Sequence, residues 1–274
     1  MNTKFFPQRP KLNPTIYAYK ILNASDRKGL LKIGFTTRNA EERVAEQLKT
    51  SGLKYEILLE ESAIRKDGSS FSDHEVHRLL RKKGFKNTEL EWFKCSAKDV
   101  KSVILAIKNK EENIENRTLD FKMRPEQEDA VNKTIQYFDS FKKDNKNKTS
   151  HFLWNAKMRF GKTFASYQLA KKMGWKKVLV LTFKPAVENA WYEDLKTHLD
   201  FEDWQFVSQK SMSYEEADQS KPLVCFGSFQ DYLGKNSAGG IKAKNEWVHT
   251  TNWDCVIFDE YHFGAWNERA KELF

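Results

Sequence analysis

The chain has 274 residues, of which 39% are hydrophobic and 31% are charged. This length predicts one or two domains, and this composition is typical of a globular protein with a buried core. No apolar run approaches the ~20 residues of a transmembrane helix, and the first residues lack the apolar core of a secretion signal. We therefore expect a cytoplasmic protein without membrane contact. Three cysteines lie far apart, at Cys95, Cys225 and Cys255, which argues against disulfides and structural zinc.

The net charge of +9 is shared unevenly along the chain. Residues 1–110 hold 23 Lys and Arg against 13 Asp and Glu, or +10, and the remaining residues hold 24 against 25, or −1. A basic first half favours a polyanionic partner such as nucleic acid. Solubility explains the same balance equally well, so charge alone does not decide between the two.

The first half alternates between predicted strands and helices. In chain order, we predict strands over residues 15–22 and 29–36, a helix from residue 39, a strand over 54–60, a helix over 72–83, a strand over 91–95 and a helix over 97–110. The first two strands form a hairpin, and Asn39 with Glu42 has the spacing of a capping box. We place a first domain at residues 13–106 and a linker at 107–121, because the polar segment 111–121 has little periodicity.

The second half changes to short, continuously apolar runs separated by helical stretches. A helix opens at Arg124 with Pro125 in its first turn. The apolar runs cover residues 152–154, 178–181, 223–226 and 256–258. Runs that are apolar at every position indicate strands buried on both faces of a parallel sheet. We therefore predict an α/β domain over residues 122–274.

A phosphate-binding loop follows the first of these runs. Gly161-Lys162-Thr163 stands before a helical pattern, where backbone N–H groups at the helix start can face phosphates. Lys162 is expected to reach the β- and γ-phosphates of ATP, and the Thr163 hydroxyl to hold Mg²⁺. Ala156 stands where the usual pattern has its first glycine, which costs little only if the backbone φ there is negative.

Two carboxylates, Asp259 and Glu260, follow the last apolar run. They and the loop lie at the carboxyl ends of predicted parallel strands, where open α/β sheets bind ligands. Asp259 is expected to hold the metal through its water shell, and Glu260 to orient or activate the attacking water. The alternative is a glycine-capped turn with a solvated lysine, but this leaves the acidic pair unexplained. The sequence therefore predicts a nucleoside triphosphatase core.

Four strings in the second half carry a further signal. They are Arg124-Pro125-Glu126-Gln127, Ala156 to Thr163, Leu181 to Pro185 and Asp259-Glu260-Tyr261-His262. In this order they resemble the motifs of superfamily 2 helicases and translocases of the DExH group, most closely the restriction-type or phage-type DNA translocases. The resemblance implies a RecA-like lobe in which Gln127 contacts the adenine base and Lys184 lies in a segment that contacts the nucleic-acid backbone. It also implies that His262 couples the nucleotide site to a second lobe.

The chain ends twelve residues after His262, whereas the family continues with a second RecA-like lobe that supplies an arginine finger. Because such a finger is worth ~10³–10⁵ in turnover, we expect the isolated chain to bind nucleotide weakly and to hydrolyse it little. A longer protein or another polypeptide is expected to complete the site.

The first half contains a second set of candidate catalytic residues. They are Thr15-Ile16-Tyr17, Leu31 to Thr36, Arg43, Glu75 and Glu91-Trp92-Phe93, in that order. This set resembles a divergent branch of the GIY-YIG nucleases, with Lys32 where the family often has tyrosine. The resemblance implies that Glu75 binds the metal, that Tyr17 helps to activate water and that Arg43 stabilises the developing charge. Phosphodiester cleavage needs these three functions.

Each of these residues also has an ordinary structural alternative. Ser72 and Glu75 have the spacing of a capping box, in which Glu75 only bonds back to the helix start. Tyr17 fits half-buried packing on a hairpin, and Arg43 fits a solvated helix face. His77 fits an accessory acid–base role or a phosphate contact, whereas zinc binding by the two histidines of this helix lacks a third ligand nearby.

Together, the two halves predict an α/β protein: a small α+β GIY-YIG-like domain followed by the first lobe of a parallel-sheet, RecA-like P-loop domain, incomplete at its end. We interpret the chain as the N-terminal part of an ATP-dependent DNA endonuclease of restriction or mobile-element type that uses Mg²⁺ or Mn²⁺. RNA stays an alternative substrate, and a methyltransferase is a further candidate partner. One alternative is a superfamily 2 helicase whose N-terminal module binds nucleic acid without cleaving it; another is a truncated product that folds only in part.

Overall fold

Two β-sheets, one antiparallel and one parallel, organise the chain. The computed structural model describes residues 13–145, 148–233 and 245–259. The chain divides into two compact units, Met1–Asp120 and Phe121–Phe274, and each sheet belongs to one of them. Within the described ranges, no helix combines the length and the apolar character that a bilayer crossing needs. The expectation of a mixed α/β protein with a parallel sheet in its second half is confirmed.

The antiparallel sheet forms the first unit. Its elements are β1 (Thr15–Ile21), β2 (Leu31–Thr36), α1 (Ala40–Leu48), β3 (Tyr55–Ser62), α2 (Asp73–Lys82), β4 (Asn87–Glu89), β5 (Trp92–Phe93) and α3 (Ala97–Asn109). The strand order is β3-β1-β2-β5-β4, with antiparallel neighbours. The predicted hairpin is β1 with β2, and Asn39 caps α1 by accepting the N–H of Glu42 at 3.0 Å. The sequence did not predict β4, because Asn87-Thr88-Glu89 has no apolar side chain.

The two faces of this sheet carry different helices, because successive side chains of a strand point to opposite faces. Ile16 and Ile33 belong to one core, together with apolar residues of α2 and α3. Tyr17 and Tyr19 belong to a second core, together with Ala40 of α1 and its neighbours. The sheet therefore holds Tyr17 on the side of α1, whereas α2 packs against the other face.

The predicted linker, residues 107–121, is in part an ordered piece of the first unit. α3 continues to Asn109, and beyond it Asn113 and Arg117 are only 0% and 1% exposed. The Asn113 side-chain amide donates to the backbone carbonyl of Ser102 at 2.9 Å and to that of Arg117 at 2.8 Å. In this part of the predicted linker, the polar groups satisfy one another inside the fold instead of facing water.

The parallel sheet forms the second unit. Its elements are α4 (Pro125–Asp144), α5 (Lys162–Met173), β6 (Lys177–Thr182), α6 (Glu188–Thr197), β7 (Gln205–Val207), β8 (Leu223–Ser228), α7 (Phe229–Leu233), α8 (Glu246–Thr250) and β9 (Cys255–Asp259). The strand order is β7-β8-β6-β9, and every pair is parallel. Three of the four predicted apolar runs are thus strands β6, β8 and β9. Tyr167 of α5 and Trp191 of α6 pack with Val180 of β6 in a core on one face of this sheet.

The fourth apolar run, residues 152–154, is not a strand of the sheet among the described residues. Leu153 is 72% exposed, so the run is not buried on both faces. Its aromatic residues contact α4 instead. The Trp154 indole N–H donates to the Thr134 hydroxyl at 2.8 Å, and the Phe152 ring lies 5.3 Å from the ring of Tyr137. The strand prediction for this run is therefore corrected: Phe152 and Trp154 pack against a helix, and Leu153 is exposed.

Candidate nucleotide and nuclease sites

The phosphate-binding loop leads directly into α5. Gly161 is the N-cap of this helix, with a left-handed φ of 76°, a conformation that glycine adopts without strain. A Cβ at Gly161 would also lie only 2.5 Å from the Gln127 side-chain nitrogen. Ala156 is not among the described non-glycine residues with positive φ, so alanine meets no backbone strain at the position of the usual first glycine. The departure from the usual pattern is therefore compatible with the loop.

The first turn of α5 has the geometry of an anion site. The first bond within the helix joins the Ala165 N–H to the Gly161 carbonyl at 3.1 Å, so the N–H groups of Lys162 and Thr163 precede it. N–H groups at a helix start favour a bound anion. Thr163 is half-buried in this turn, beside Lys162 in the chain.

The loop and the last strand of the sheet meet at one point. Asp259 ends β9 and lies in register with Thr182, the last residue of β6. The Lys162 ammonium lies 3.5 Å from Asp259 Oδ1, and the side chains of Lys162 and Asp259 are 42% and 12% exposed. The Trp191 indole N–H donates to Asp259 Oδ2 at 3.1 Å. Two residues 97 positions apart in the chain thus share one site. Glu260 and His262, which were predicted beside them, lie outside the described residues.

Gln127, the predicted contact for the adenine base, is buried beside the phosphate-binding loop. It is 4% exposed, and its side-chain amide donates to the carbonyls of Phe160 at 2.7 Å and Gly161 at 3.3 Å. Its side-chain oxygen accepts the Arg124 N–H at 2.9 Å. Both amide hydrogens are therefore used to hold the loop. The adenine contact stays a prediction, and Gln127 would first have to exchange these partners to make it.

Lys184, the predicted nucleic-acid contact, follows β6. It is exposed, and its backbone N–H donates to the Thr182 hydroxyl at 3.0 Å. This bond fixes the backbone where the chain leaves the sheet, at the same edge as Asp259. An exposed cation at this edge is compatible with a phosphate contact.

In the first unit, the structure brings Tyr17, Lys32 and Arg43 together. Tyr17 is 1% exposed, and burial raises the pKa of its hydroxyl above the ordinary value of 10.0, an effect opposed by hydrogen bonds with Gln47 and Arg43 and by the Arg43 charge. The Lys32 ammonium lies 3.2 Å from a Glu91 carboxylate oxygen and 3.4 Å from the Gln47 side-chain oxygen. We call these five residues the tyrosine cluster.

Gly34 makes room for the tyrosine cluster. Tyr17 and Gly34 are direct partners in the β1–β2 pair. A Cβ at Gly34 would lie 2.5 Å from the Tyr17 hydroxyl oxygen, which is closer than real Cβ contacts. Gly34 is not among the described glycines that have a positive φ, so its backbone conformation does not require glycine. This glycine is therefore required by the close approach of the phenol ring and not by its conformation.

Glu75 is held by a different partner. Its carboxylate pairs with the Arg65 guanidinium at 2.5 Å, and the side chains of Arg65 and Glu75 are 14% and 33% exposed. Arg65 also donates to the Ser70 carbonyl at 2.7 Å. The Ser72 side chain forms no cap bond, so the capping-box alternative for Glu75 is not observed. Among the described residues there is no group of three or more histidine, cysteine, aspartate or glutamate side chains that could enclose a metal.

His77 is buried, with 4% exposure, and its Nε2 lies 3.0 Å from the Ile33 carbonyl. A carbonyl only accepts, so Nε2 carries the hydrogen in this contact. Burial lowers the pKa of His77 from its ordinary value and so favours the neutral ring. Its ring also stacks on Phe93 at 5.1 Å. The accessory acid–base role and the phosphate contact of His77 stay predictions, and either one requires the enclosed side chain to become accessible.

Four residues of these sites were missed or left without a role by the sequence. Gln47, Arg65 and Trp191 lie in no motif, and Glu91 was noted only as part of Glu91-Trp92-Phe93. For Gln47, its position four residues after Arg43 on one helix face was a usable signal. Nothing in the sequence around Trp191 distinguishes it from a residue of the core.

Comparison with known proteins gives the class of this chain. Residues 120–273 match the family described as type III restriction enzyme, res subunit. The match covers more than half of the chain, so the chain belongs to this family. Residues 15–108 match the T5orf172 domain.

A relative from Mycoplasma pneumoniae carries the name "Putative type II restriction enzyme and methyltransferase RM.MpnORF110P C-terminus". It is 35% identical over 157 residues, which are 54% of this chain and 21% of the relative. The chain thus spans about a fifth of the length of this curated relative. No solved structure matches the chain. The restriction-type, helicase-like character expected for the second half is confirmed at the level of the family.

Proposed function

We propose that this chain is part of an ATP-dependent DNA endonuclease of restriction type, in which a GIY-YIG-like nuclease unit is coupled to a DExH-type nucleotide-binding unit. The observation that carries the proposal is the 3.5 Å approach of Lys162 to Asp259. A lysine from a phosphate-binding loop and a carboxylate from a parallel strand are the two groups that a magnesium-bound triphosphate requires. The match to the restriction res subunit family supports the same conclusion.

In the nucleotide unit, each residue has a distinct task. Lys162 and the first N–H groups of α5 bind the β- and γ-phosphates. The Thr163 hydroxyl would bind Mg²⁺ directly, and the Asp259 carboxylate would hold the ion through its water shell. Glu260, the next residue, orients the attacking water, and His262 couples the site to a second RecA-like lobe. That lobe and a methyltransferase are the partners expected in the whole protein.

In the nuclease unit, the tyrosine cluster handles the scissile phosphate. Because burial raises the pKa of Tyr17, its hydroxyl stays protonated at neutral pH and positions the attacking water by hydrogen bonding. Arg43 lies beside it and stabilises the charge that develops on the phosphate. Lys32, anchored by Glu91, adds a second cation. DNA is the preferred substrate because the first half carries the basic excess, and RNA is the alternative.

The metal of the nuclease unit is assigned to Glu75. Magnesium or manganese, when bound there, polarises the phosphate and neutralises its charge. One protein carboxylate is sufficient for such a site, because Mg²⁺ keeps several waters and also binds substrate phosphate. Arg65 occupies this carboxylate at present, so Glu75 must exchange its arginine partner before it binds the metal.

A second candidate function is favoured by the same ion pair. If the ion pair between Arg65 and Glu75 persists when nucleic acid binds, Glu75 cannot bind a metal. The first unit then binds nucleic acid without cutting it and serves a superfamily 2 helicase. The basic charge of the first half and the buried Tyr17 are equally compatible with such a module. The two functions therefore differ in whether the carboxylate of Glu75 is used in chemistry.

Plasmid nicking separates the two functions. The chain is incubated with supercoiled plasmid and Mg²⁺ or Mn²⁺, next to Glu75→Ala and the matched control Asp73→Asn in the same helical turn. Metal-dependent nicking that Glu75→Ala loses and Asp73→Asn keeps is the expected result. Plasmid binding by all three proteins without nicking by any of them would instead identify the non-cleaving module.

A further inference from the structure

Trp191 connects the core of the second unit to the proposed nucleotide site. It lies in α6 and is 2% exposed. Its indole N–H donates to Asp259 Oδ2 at 3.1 Å, whereas Asp259 Oδ1 faces the Lys162 ammonium at 3.5 Å. The two oxygens of one carboxylate thus have different neighbours. Trp191 contacts one oxygen of the carboxylate and Lys162 contacts the other.

The tryptophan is itself fixed by the helix that the phosphate-binding loop opens. The Tyr167 hydroxyl in α5 donates to the Trp191 backbone carbonyl at 2.8 Å, and the two rings meet edge to face at 5.4 Å. Tyr167 is 0% exposed. Hydrogen bonds therefore connect Tyr167 of α5 through Trp191 of α6 to Asp259 of β9.

A buried indole N–H needs an acceptor, because leaving it unbonded costs free energy. Any buried carbonyl could serve this need, but here the acceptor is the carboxylate at the end of β9. A hydrogen bond of this kind restricts the rotation of the carboxylate, as outer partners of metal ligands do in general. The hydrogen bond therefore satisfies the buried indole N–H and also restricts the Asp259 carboxylate.

We infer that Trp191 is a positioning residue for the Asp259 carboxylate: its N–H holds Oδ2 so that Oδ1 stays directed at the place where Lys162 and the metal of a bound nucleotide meet. The inference rests on the proposed nucleotide site and adds a residue to it. Trp191 touches neither nucleotide nor metal in this role. It acts by fixing the orientation of Asp259 before the ligand arrives.

The test compares two variants that each remove one hydrogen bond of the same cluster. Trp191→Phe removes the N–H and keeps an aromatic ring in the core. Tyr167→Phe is the matched control, because it removes the bond to the Trp191 carbonyl without touching Asp259. The affinity for a fluorescent ATP analogue is measured in Mg²⁺ and in EDTA, and the ratio of the two affinities is the readout. Thermal unfolding of both variants reports the purely structural effect.

Trp191→Phe is expected to reduce the Mg²⁺-dependent gain in affinity by about 10-fold or more, the usual effect of removing a partner of a metal ligand. Its affinity in EDTA and the ratio of Tyr167→Phe should stay close to those of the wild type. An unchanged ratio in folded Trp191→Phe overturns the inference while the nucleotide site stands. A wild type that binds no nucleotide overturns both the site and the inference.

A second measurement covers the case in which Trp191→Phe does not fold. The chain has eight tryptophans, so its ¹H–¹⁵N spectrum contains at most eight indole signals. Asp259→Asn is expected to shift one slowly exchanging indole signal, and Mg²⁺ with the ATP analogue should shift the same signal in the wild type. If no protected indole signal responds to Asp259→Asn, the inference is overturned.

Discussion

Gly34 and Tyr17 act as one structural unit. They face each other across β1 and β2, and the phenol ring lies over the glycine backbone. The same ring position brings the Tyr17 hydroxyl to Gln47 and Arg43. The glycine therefore decides whether the tyrosine cluster can form.

Gly34→Ala is expected to destabilise the first unit by ~1–3 kcal/mol, the usual range for a group inserted into a packed site. Plasmid nicking should fall with it, because Tyr17 must move. Urea unfolding of Gly34→Ala, Tyr17→Leu and the double variant measures the coupling between the two positions. Strictly additive effects of the two substitutions would contradict the proposed steric unit.

Asp194 in α6 is a half-buried acid next to the first turn of α5. Burial raises the pKa of Asp194 above its ordinary value of 3.8, the nearby Glu193 charge adds to this, and the Phe164 backbone N–H opposes it. A raised pKa means that the folded protein binds the proton more tightly than the unfolded chain. The charged form therefore costs stability, and this cost appears as pH rises from 3.8 through the raised pKa.

Asp194→Asn should consequently raise the Tm at neutral pH, since the amide oxygen can still accept the Phe164 N–H. The advantage over the wild type should shrink as pH falls toward 3.8. Differential scanning calorimetry across this range measures it. Asp139→Asn, on the exposed face of α4, is the control for loss of one negative charge. A Tm difference that stays constant with pH would argue against a titrating Asp194.

Among single residues, the sequence predicted the candidate functional residues that lie in motifs. It missed the residues that contact and orient them. Lys162, Thr163 and Asp259 stand in recognisable strings because their chemistry fixes both residue type and spacing. Arg65 and Trp191 act through three-dimensional contacts over 10 and 68 positions of the chain. Such contacts leave no local pattern, so only the fold identifies them.

Helices α2 and α3 each begin with a serine at the N-cap position, but only one of these serines forms a side-chain cap bond. Ser96 begins α3 with a complete capping box, in which its hydroxyl accepts the Asp99 N–H at 3.3 Å and its own N–H donates to the Asp99 carboxylate at 2.8 Å. Ser72 precedes α2 without a side-chain cap bond. The same residue type at the same helix position thus has different partners.

Ser96→Ala should lower the free energy of unfolding by ~1 kcal/mol, as loss of an N-cap usually does. Ser72→Ala is the matched control and should change it much less, because no cap bond is lost. Urea unfolding followed by circular dichroism compares the two. Equal losses for the two variants would show that the cap bond is not the cause.

The sequence predicted most elements of both units from periodicity and cap signals. Strands β6, β8 and β9 are apolar at almost every position, because each of them contributes side chains to two apolar cores. The run at residues 152–154 has the same composition but packs against α4, and composition does not tell these cases apart. Asn113 and Arg117 were taken for linker residues because buried polar networks have the composition of loops.

At the scale of the whole molecule, charge is divided between the two units. Residues 1–120 carry 24 Lys and Arg against 17 Asp and Glu, or +7, and residues 121–274 carry 23 against 21, or +2. Each unit has its own sheet and its own cores. We therefore expect that DNA affinity depends mainly on the first unit and that it depends strongly on salt.

Fragments 13–120 and 121–274 separate these contributions. The affinity of fragment 13–120 for duplex DNA should fall at least about 10-fold between about 50 and 200 mM salt, which corresponds to two or more phosphate contacts. Fragment 121–274 should bind more weakly at every salt concentration. Fluorescence anisotropy with a labelled duplex measures both. Stronger binding by fragment 121–274 would contradict the assignment of DNA binding to the first unit.

We propose that the loop at Lys162 and the strand ending at Asp259 form one nucleotide site, because their side chains lie 3.5 Å apart. Equilibrium titration of the chain with Mg²⁺ and ATP tests it most directly, with Lys162→Ala next to Lys157→Ala, an exposed lysine of the same loop. We expect Lys162→Ala to weaken binding by about 10-fold to 100-fold, the value of one hydrogen bond to a charged group. Lys157→Ala should bind like the wild type. Equal affinities of Lys162→Ala and the wild type would contradict the proposal.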